Sequence, residues 1–151
     1  MVEGVRALVD DCRGSDLKRI GALANVAAYL NERLERINWV GFYLTDESGE
    51  RLLLGPFQGK VACTEIPFER GVCGLAARTK KSQRIADVHA VTDHIVCDSA
   101  SRSELVVPLV TACGSVVGVL DIDSPDLDRF TAGDEHLLCQ VASVVVSALY
   151  S

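Results

Sequence analysis

Along the first third of the chain, Leu17, Ile20, Leu23, Ala24, Ala27, Leu30 and Leu34 recur at the three- and four-residue spacing of one helical face, and Asn31 to Arg36 supplies a polar end. The spacing predicts an amphipathic helix. At Asn38 the pattern changes: aromatic and β-branched residues run to Thr45, Asp46-Glu-Ser-Gly49 carries turn residues, and Leu52 to Leu54 opens a second strand. Together these read as a hairpin. Gly55-Pro-Phe-Gln-Gly59 is expected to interrupt the second strand, Ala62 to Pro67 predicts a third, and Gly71 to Thr79 is small and apolar enough for a short buried helix.

From Asp87 to Arg102 periodicity gives way to Asp, His, Ser and Thr, which predicts a long connection of the kind that serves as a lid or binding loop. Glu104 to Thr111 and Val116 to Asp123 then predict a central hairpin turning at Cys113-Gly-Ser115. Thr131 and Asp134 have capping-box spacing, and Leu137, Leu138, Val141, Val144, Val145 and Leu149 continue into a C-terminal helix. The order is an α+β layout in one domain spanning residues 1–151, with the terminal helices on one face of an antiparallel sheet. The opposite face and the long connection are left to make a pocket.

A chain of 151 residues and 16.2 kDa supports one well-developed core, and 48% hydrophobic with 24% charged residues is a globular balance. No apolar run approaches the roughly 20 residues of a membrane span. The N-terminal Met-Val-Glu-Gly-Val-Arg-Ala-Leu-Val-Asp-Asp has no continuous apolar core, so no secretory signal and a cytoplasmic location are expected. In that reducing compartment cysteines act as thiols or in transient catalytic disulfides. A net charge of −6 with scattered basic residues argues against nucleic acid and against an anionic membrane surface.

Cys63, Cys73 and Cys97 sit in three differing local settings with none of the short spacings of a zinc knuckle, which points to thiol chemistry and to no metal. Cys73 falls near a helix N-terminus, where the macrodipole favours a thiolate. Asp121 and Asp123 lie two apart on a strand and so share a face, and Glu104 opens the strand expected to pair with theirs. Crowding of these carboxylates should raise at least one pKa and keep a proton available near neutrality. Trp39, Gly41 and Tyr43 alternate onto one strand face as an aromatic wall with a small gap. Singly, Trp39 and Tyr43 read as core aromatics, and the aspartates as a turn signal before Ser124-Pro125. Cys12, Cys113 and Cys139 read as small buried hydrophobes, His89 and His94 as hydrogen-bonding loop residues, and His136 as a surface residue.

Several segments match one family together: Asn38-Trp-Val-Gly-Phe-Tyr43, Gly55-Pro-Phe-Gln-Gly-Lys60, Ala62-Cys63, Arg70-Gly-Val-Cys-Gly74, Asp87-Val-His89, His94-Ile-Val-Cys-Asp98, Ser103-Glu104 and Gly118-Val-Leu-Asp-Ile-Asp-Ser124. On these motifs the chain resembles the free methionine-(R)-sulfoxide reductases, which are GAF domains. The resemblance implies that Cys97 is the catalytic cysteine and that Cys73 and Cys63 form disulfides during turnover, Cys73 being preferred as the resolving thiol and Cys63 as a relay. It likewise places Glu104, Asp121 and Asp123 around the sulfoxide oxygen and Trp39 and Tyr43 beside the methylsulfinyl end. It further implies the R epimer as substrate, no bound cofactor, thioredoxin as electron donor and a homodimer. Glu69 and Leu75 stand where many relatives carry glycine and threonine, so the loop that bears Cys73 is where this chain departs from the pattern. A GAF-type sensor of a small ligand or redox state is the alternative, because the fold alone does not dictate turnover.

Overall fold

The computed structural model describes residues 1–12, 14–91 and 100–150. Its helices are α1 (Val2–Val9), α2 (Asp16–Arg33), α3 (Gly71–Thr79) and α4 (Ala132–Leu149); its strands are β1 (Trp39–Thr45), β2 (Arg51–Gly59), β3 (Glu65–Pro67), β4 (Gln83–Ile85), β5 (Ser103–Val110) and β6 (Val116–Ser124). Helix α2 starts where Ser15 caps it, its side chain accepting from the Lys18 amide. Helix α4 starts on the expected capping box, Thr131 and Asp134 each accepting from the other's backbone amide.

The strands form one sheet in the order β3-β2-β1-β6-β5-β4, antiparallel at every step. Alternation divides it cleanly. Val40, Phe42, Leu105, Val107, Leu109, Leu120 and Ile122 face α1, α2 and α4 in the larger core, as expected of the terminal helices. Trp39, Tyr43, Val106 and Val119 face the other way, where α3 lies over them.

Four features depart from the sequence reading. Helix α1 escapes notice because two turns give too little periodicity, yet Val5 and Val9 are buried in the main core. The edge strand β4 is too short to signal itself. Leu17 and Ile20, read as part of the apolar stripe of α2, are 86% and 44% exposed; the buried face begins at Ala22 and Leu23. Gly55-Pro56 does not end β2. The strand continues with one extra residue opposite Gly41 and Tyr43, and β3 pairs only with Arg51 to Leu53, so Pro56 costs no ladder bond on that outer edge.

The bulge brings β2 down over Gly41. A Cβ there would meet the Phe57 Cβ, with the Phe57 Cα at 2.8 Å and the Pro56 carbonyl oxygen at 2.9 Å. Gly41→Ala should therefore lower the unfolding free energy by roughly 1–3 kcal/mol, the usual cost of overpacking a closed site. Denaturant unfolding checks this, and a variant as stable as wild type would show that the strands separate freely.

Candidate active site

Register builds the site. Across the three central strands Trp39, Asp123 and Glu104 form one row, Gly41, Asp121 and Val106 the next, and Tyr43, Val119 and Pro108 a third. All lie on the face opposite α1, α2 and α4, so the aromatic wall and the carboxylates share one surface. Cys73 reaches it from α3. That helix turns in at Gly71, whose φ of +72° is left-handed, after an extended Arg70. Cys73, Glu104 and Asp121 are 4%, 5% and 6% exposed, and one ligand atom from each lies within 4.8 Å of the others. The Cys73 Sγ is 4.0 Å from Glu104 Oε2 and also donates to Asp121. Asp123, half-buried, completes the trio beside Glu104.

Burial chiefly, and Asp123 secondarily, pushes the Glu104 carboxyl up to about 8. Burial and the neighbouring Glu104 hold the Asp121 carboxyl well above its ordinary value. At neutral pH the Asp121–Glu104 pair therefore retains a proton, as the sequence reading expects. The expectation for Cys73 is reversed. It does sit in the first turn of α3, but burial, then Asp121 and Glu104, raise its thiol pKa well above the ordinary value, so the helix N-terminus loses to desolvation and like charge.

Trp39 and Tyr43 stack with ring centroids 5.8 Å apart, and Phe57 stacks on Trp39 at 5.2 Å. The gap expected above Gly41 is filled by the Phe57 and Pro56 backbone. Phe57 is a residue that periodicity could not assign, because the bulge re-aims it. The polar ends of the wall are committed: Trp39 Nε1 donates to the Lys60 carbonyl at 3.1 Å, and the Tyr43 hydroxyl donates to the Cys63 carbonyl at 3.0 Å. The two aromatics thus fix the segment that carries Cys63.

Cys63 is disulfide-bonded, whereas Cys12, Cys73, Cys113 and Cys139 are free. Cys97 and His94 lie outside the described residues. The two ends of the 87–102 connection are joined, the Val88 amide donating to the Arg102 carbonyl at 2.8 Å and the Arg102 amide to Ser124 at 2.7 Å. Asn38 Nδ2 adds a bond to Ser101 Oγ at 3.2 Å, a tie that nothing in the pattern announced. His89 and His136 are exposed, as expected of the second. Cys113 is exposed in the β5–β6 turn rather than buried, and hydrogen bonds from Thr111 and Ser115 lower its thiol to about 7.

The raised carboxyls couple the site to stability. The stabilisation tied to protonated Glu104 is complete below its ordinary pKa of 4.5 and is lost as pH rises through about 8. Thermal unfolding from about pH 5 to about pH 9 should show a falling Tm for wild type and a flatter profile for Glu104→Gln. A wild-type Tm that rises across this window would contradict the assignment.

Comparison with known proteins identifies the family. The model of the GAF domain matches residues 17–149. The chain is 51% identical over 130 residues to the free methionine-R-sulfoxide reductase of Escherichia coli, covering 86% of this chain and 77% of that protein. It is 48% identical over 110 residues to the free methionine-R-sulfoxide reductase of Saccharomyces cerevisiae, covering 72% of this chain and 61% of that one. The X-ray structure of the Neisseria meningitidis enzyme in complex with its substrate superposes with a TM-score of 0.89 at 42% identity, covering 97% of this chain and 84% of that one. These likenesses show that the chain belongs to the GAF-domain family of free methionine-R-sulfoxide reductases.

Proposed function

We propose that this protein reduces free L-methionine (R)-sulfoxide to L-methionine, and the observation that carries the reading is the buried cluster of Cys73, Glu104 and Asp121 on the same sheet face as the aromatic wall. A sulfoxide sulfur becomes electrophilic when its oxygen is protonated, so the reaction needs an acid at oxygen and a thiolate at sulfur. The carboxylate pair supplies the proton, and Asp123, across the β5–β6 ladder from Glu104, accepts a hydrogen bond from the protonated oxygen. Cys97 supplies the thiolate. The Trp39, Tyr43 and Phe57 stack borders the methyl group, so an apolar wall and an acid on neighbouring rows distinguish the two epimers.

In the net reaction the oxygen leaves as water, the sulfoxide gains two electrons, and two thiols lose them as one disulfide. Cys63 is already committed to a disulfide, while the Cys73 thiol is buried and holds its proton. Because the thiolate is the attacking species, the raised Cys73 thiol is the poorer nucleophile, and in this scheme Cys63 is the first thiol to capture oxidised Cys97. Cys73 then serves the proton network instead of the first resolving step that the sequence reading gave it. Thioredoxin, a dithiol, returns the two electrons. The chain acts in the cytoplasm, where free thiols persist between turnovers, and as a homodimer, a state in keeping with the exposed Leu17 and Ile20 on α2.

The test is thioredoxin-coupled consumption of reductant with the R and S epimers of free methionine sulfoxide. The R epimer alone should turn over. Cys97→Ser should abolish even a single turnover, whereas Cys63→Ser should release one methionine per chain and then stop; Cys73→Ser should continue to cycle. Loss of recycling in Cys73→Ser with normal cycling in Cys63→Ser would reverse the order of the two thiols. No turnover of either epimer by folded, reduced protein would leave the sensor reading. Asp121→Asn should slow the chemical step by roughly 10²–10⁴-fold, the range of general-acid contributions, and an unchanged single-turnover rate would remove Asp121 from that role.

A further inference from the structure

We propose that Cys73, Glu104 and Asp121 form a binding site for a borderline-soft divalent cation such as Zn²⁺, and that an ion seated there closes the pocket to substrate. The donors come from α3, β5 and β6, so the chain spacing between them carries no metal signature, and the site exists only in the fold. One ligand atom from each lies within 4.8 Å of the others, and all three residues are buried. The Cys73 Sγ and Glu104 Oε2 are already 4.0 Å apart. Ligand atoms around a tetrahedral zinc are roughly 3–4 Å apart, given Zn–S of about 2.3 Å and Zn–O of about 2.0–2.2 Å. The Cys73–Glu104 separation is already at the upper end of that range.

A second observation, independent of this clustering, points to a ligand. Asp121 Oδ1 is fully buried and has no hydrogen-bond partner among the described residues. A buried carboxylate oxygen left without a partner is costly, and a cation would satisfy it. The donor chemistry selects the ion. One sulfur with two carboxylates suits Zn²⁺ or Co²⁺, whereas Ca²⁺ and Mg²⁺ require more oxygen donors and gain nothing from a thiol. Asp123, across the β5–β6 ladder from Glu104, or a water would fill the fourth position. Binding moves no electrons: Cys73 gives its thiol proton to solvent, the carboxyls lose whatever proton they hold, and thiolate and carboxylates bind the ion.

The blocking effect rests on the reading of this cluster as the seat of the sulfoxide oxygen, so binding is measured without turnover. With Cys63 kept in its disulfide, the protein is titrated with Co²⁺ alone and the near-ultraviolet thiolate-to-cobalt charge-transfer absorption is followed. One equivalent should bind. The band should vanish in Cys73→Ser, Co²⁺ affinity should fall at least about tenfold in Asp121→Asn, and Zn²⁺ should displace the cobalt. Circular dichroism establishes that each variant is folded, and if Cys73→Ser is not, Asp121→Asn set against Cys113→Ser decides the site. Absence of the band, its persistence in folded Cys73→Ser, or its loss in Cys113→Ser with Asp121→Asn unchanged would overturn the proposal. Zn²⁺ should also raise the KM for methionine sulfoxide without lowering kcat. Cobalt binding without any turnover would sink only the enzymatic reading, and turnover without cobalt binding only this one.

Discussion

The pairing of β1 with β6 sets Trp39 against Asp123, Gly41 against Asp121 and Tyr43 against Val119, and the face that carries the candidate site follows from that register. Side chains alternate with a period of two, so a slip of one residue would turn the carboxylates into the helix-covered core and Val40, Phe42, Leu120 and Ile122 out of it. The hydrophobic pattern forbids the slip. Acid, aromatic wall and thiol are therefore held in place by the burial of residues that take no part in chemistry. Strand β5 extends the same logic by one row, setting Glu104 beside Asp123 and Val106 beside Asp121.

Holding two carboxyls and a thiol out of water is unfavourable, and their raised pKa values express that cost as retained protons. The opposite face of the sheet offsets it. Leu23, Leu30, Leu105, Leu109, Leu120 and Ile122 are fully buried there, and each such side chain contributes on the order of 1.5–3 kcal/mol. This division lets the site stay electrostatically strained while the fold remains stable. Helix α3 is short and rich in small residues, and Ala76 and Ala77 are buried in its contact with the sheet, which leaves Cys73 close to the strands.

The parts of this architecture legible in the sequence are those governed by local periodicity. Strand alternation is enough to put Trp39 and Tyr43 on one face of β1 and Asp121 and Asp123 on one face of β6, whereas their meeting with Glu104 on a single sheet face depends on the pairing of three strands; the capping residues mark the start of α4. What could not be read depends on contacts distant in the chain. Pro56 looked like a strand end because its tolerance depends on β3 stopping short of it. Phe57 looked ordinary because the bulge that aims it is visible only against Gly41. Cys73 was placed correctly on its helix and misjudged in its acidity, since the deciding neighbours, Asp121 and Glu104, come from strands far along the sequence.

Cys73 and Cys113 show how far environment outweighs residue type. Both are free, yet burial among carboxylates drives the first thiol up, while exposure with two hydroxyls as hydrogen-bond donors brings the second down to about 7. A thiol that keeps its proton is a weak nucleophile and a good hydrogen-bond donor, and Cys73 donates to the carboxyls at the centre of the site. Cys63 differs in kind: its carbonyl is held by Tyr43 and its sulfur is already in a disulfide. The aromatic wall thereby anchors the backbone at Lys60 and Cys63, which limits where the Cys63 sulfur can go. Burial therefore gives the two cysteines different chemistry, one a protonated hydrogen-bond donor among carboxyls and the other a disulfide sulfur on an anchored backbone.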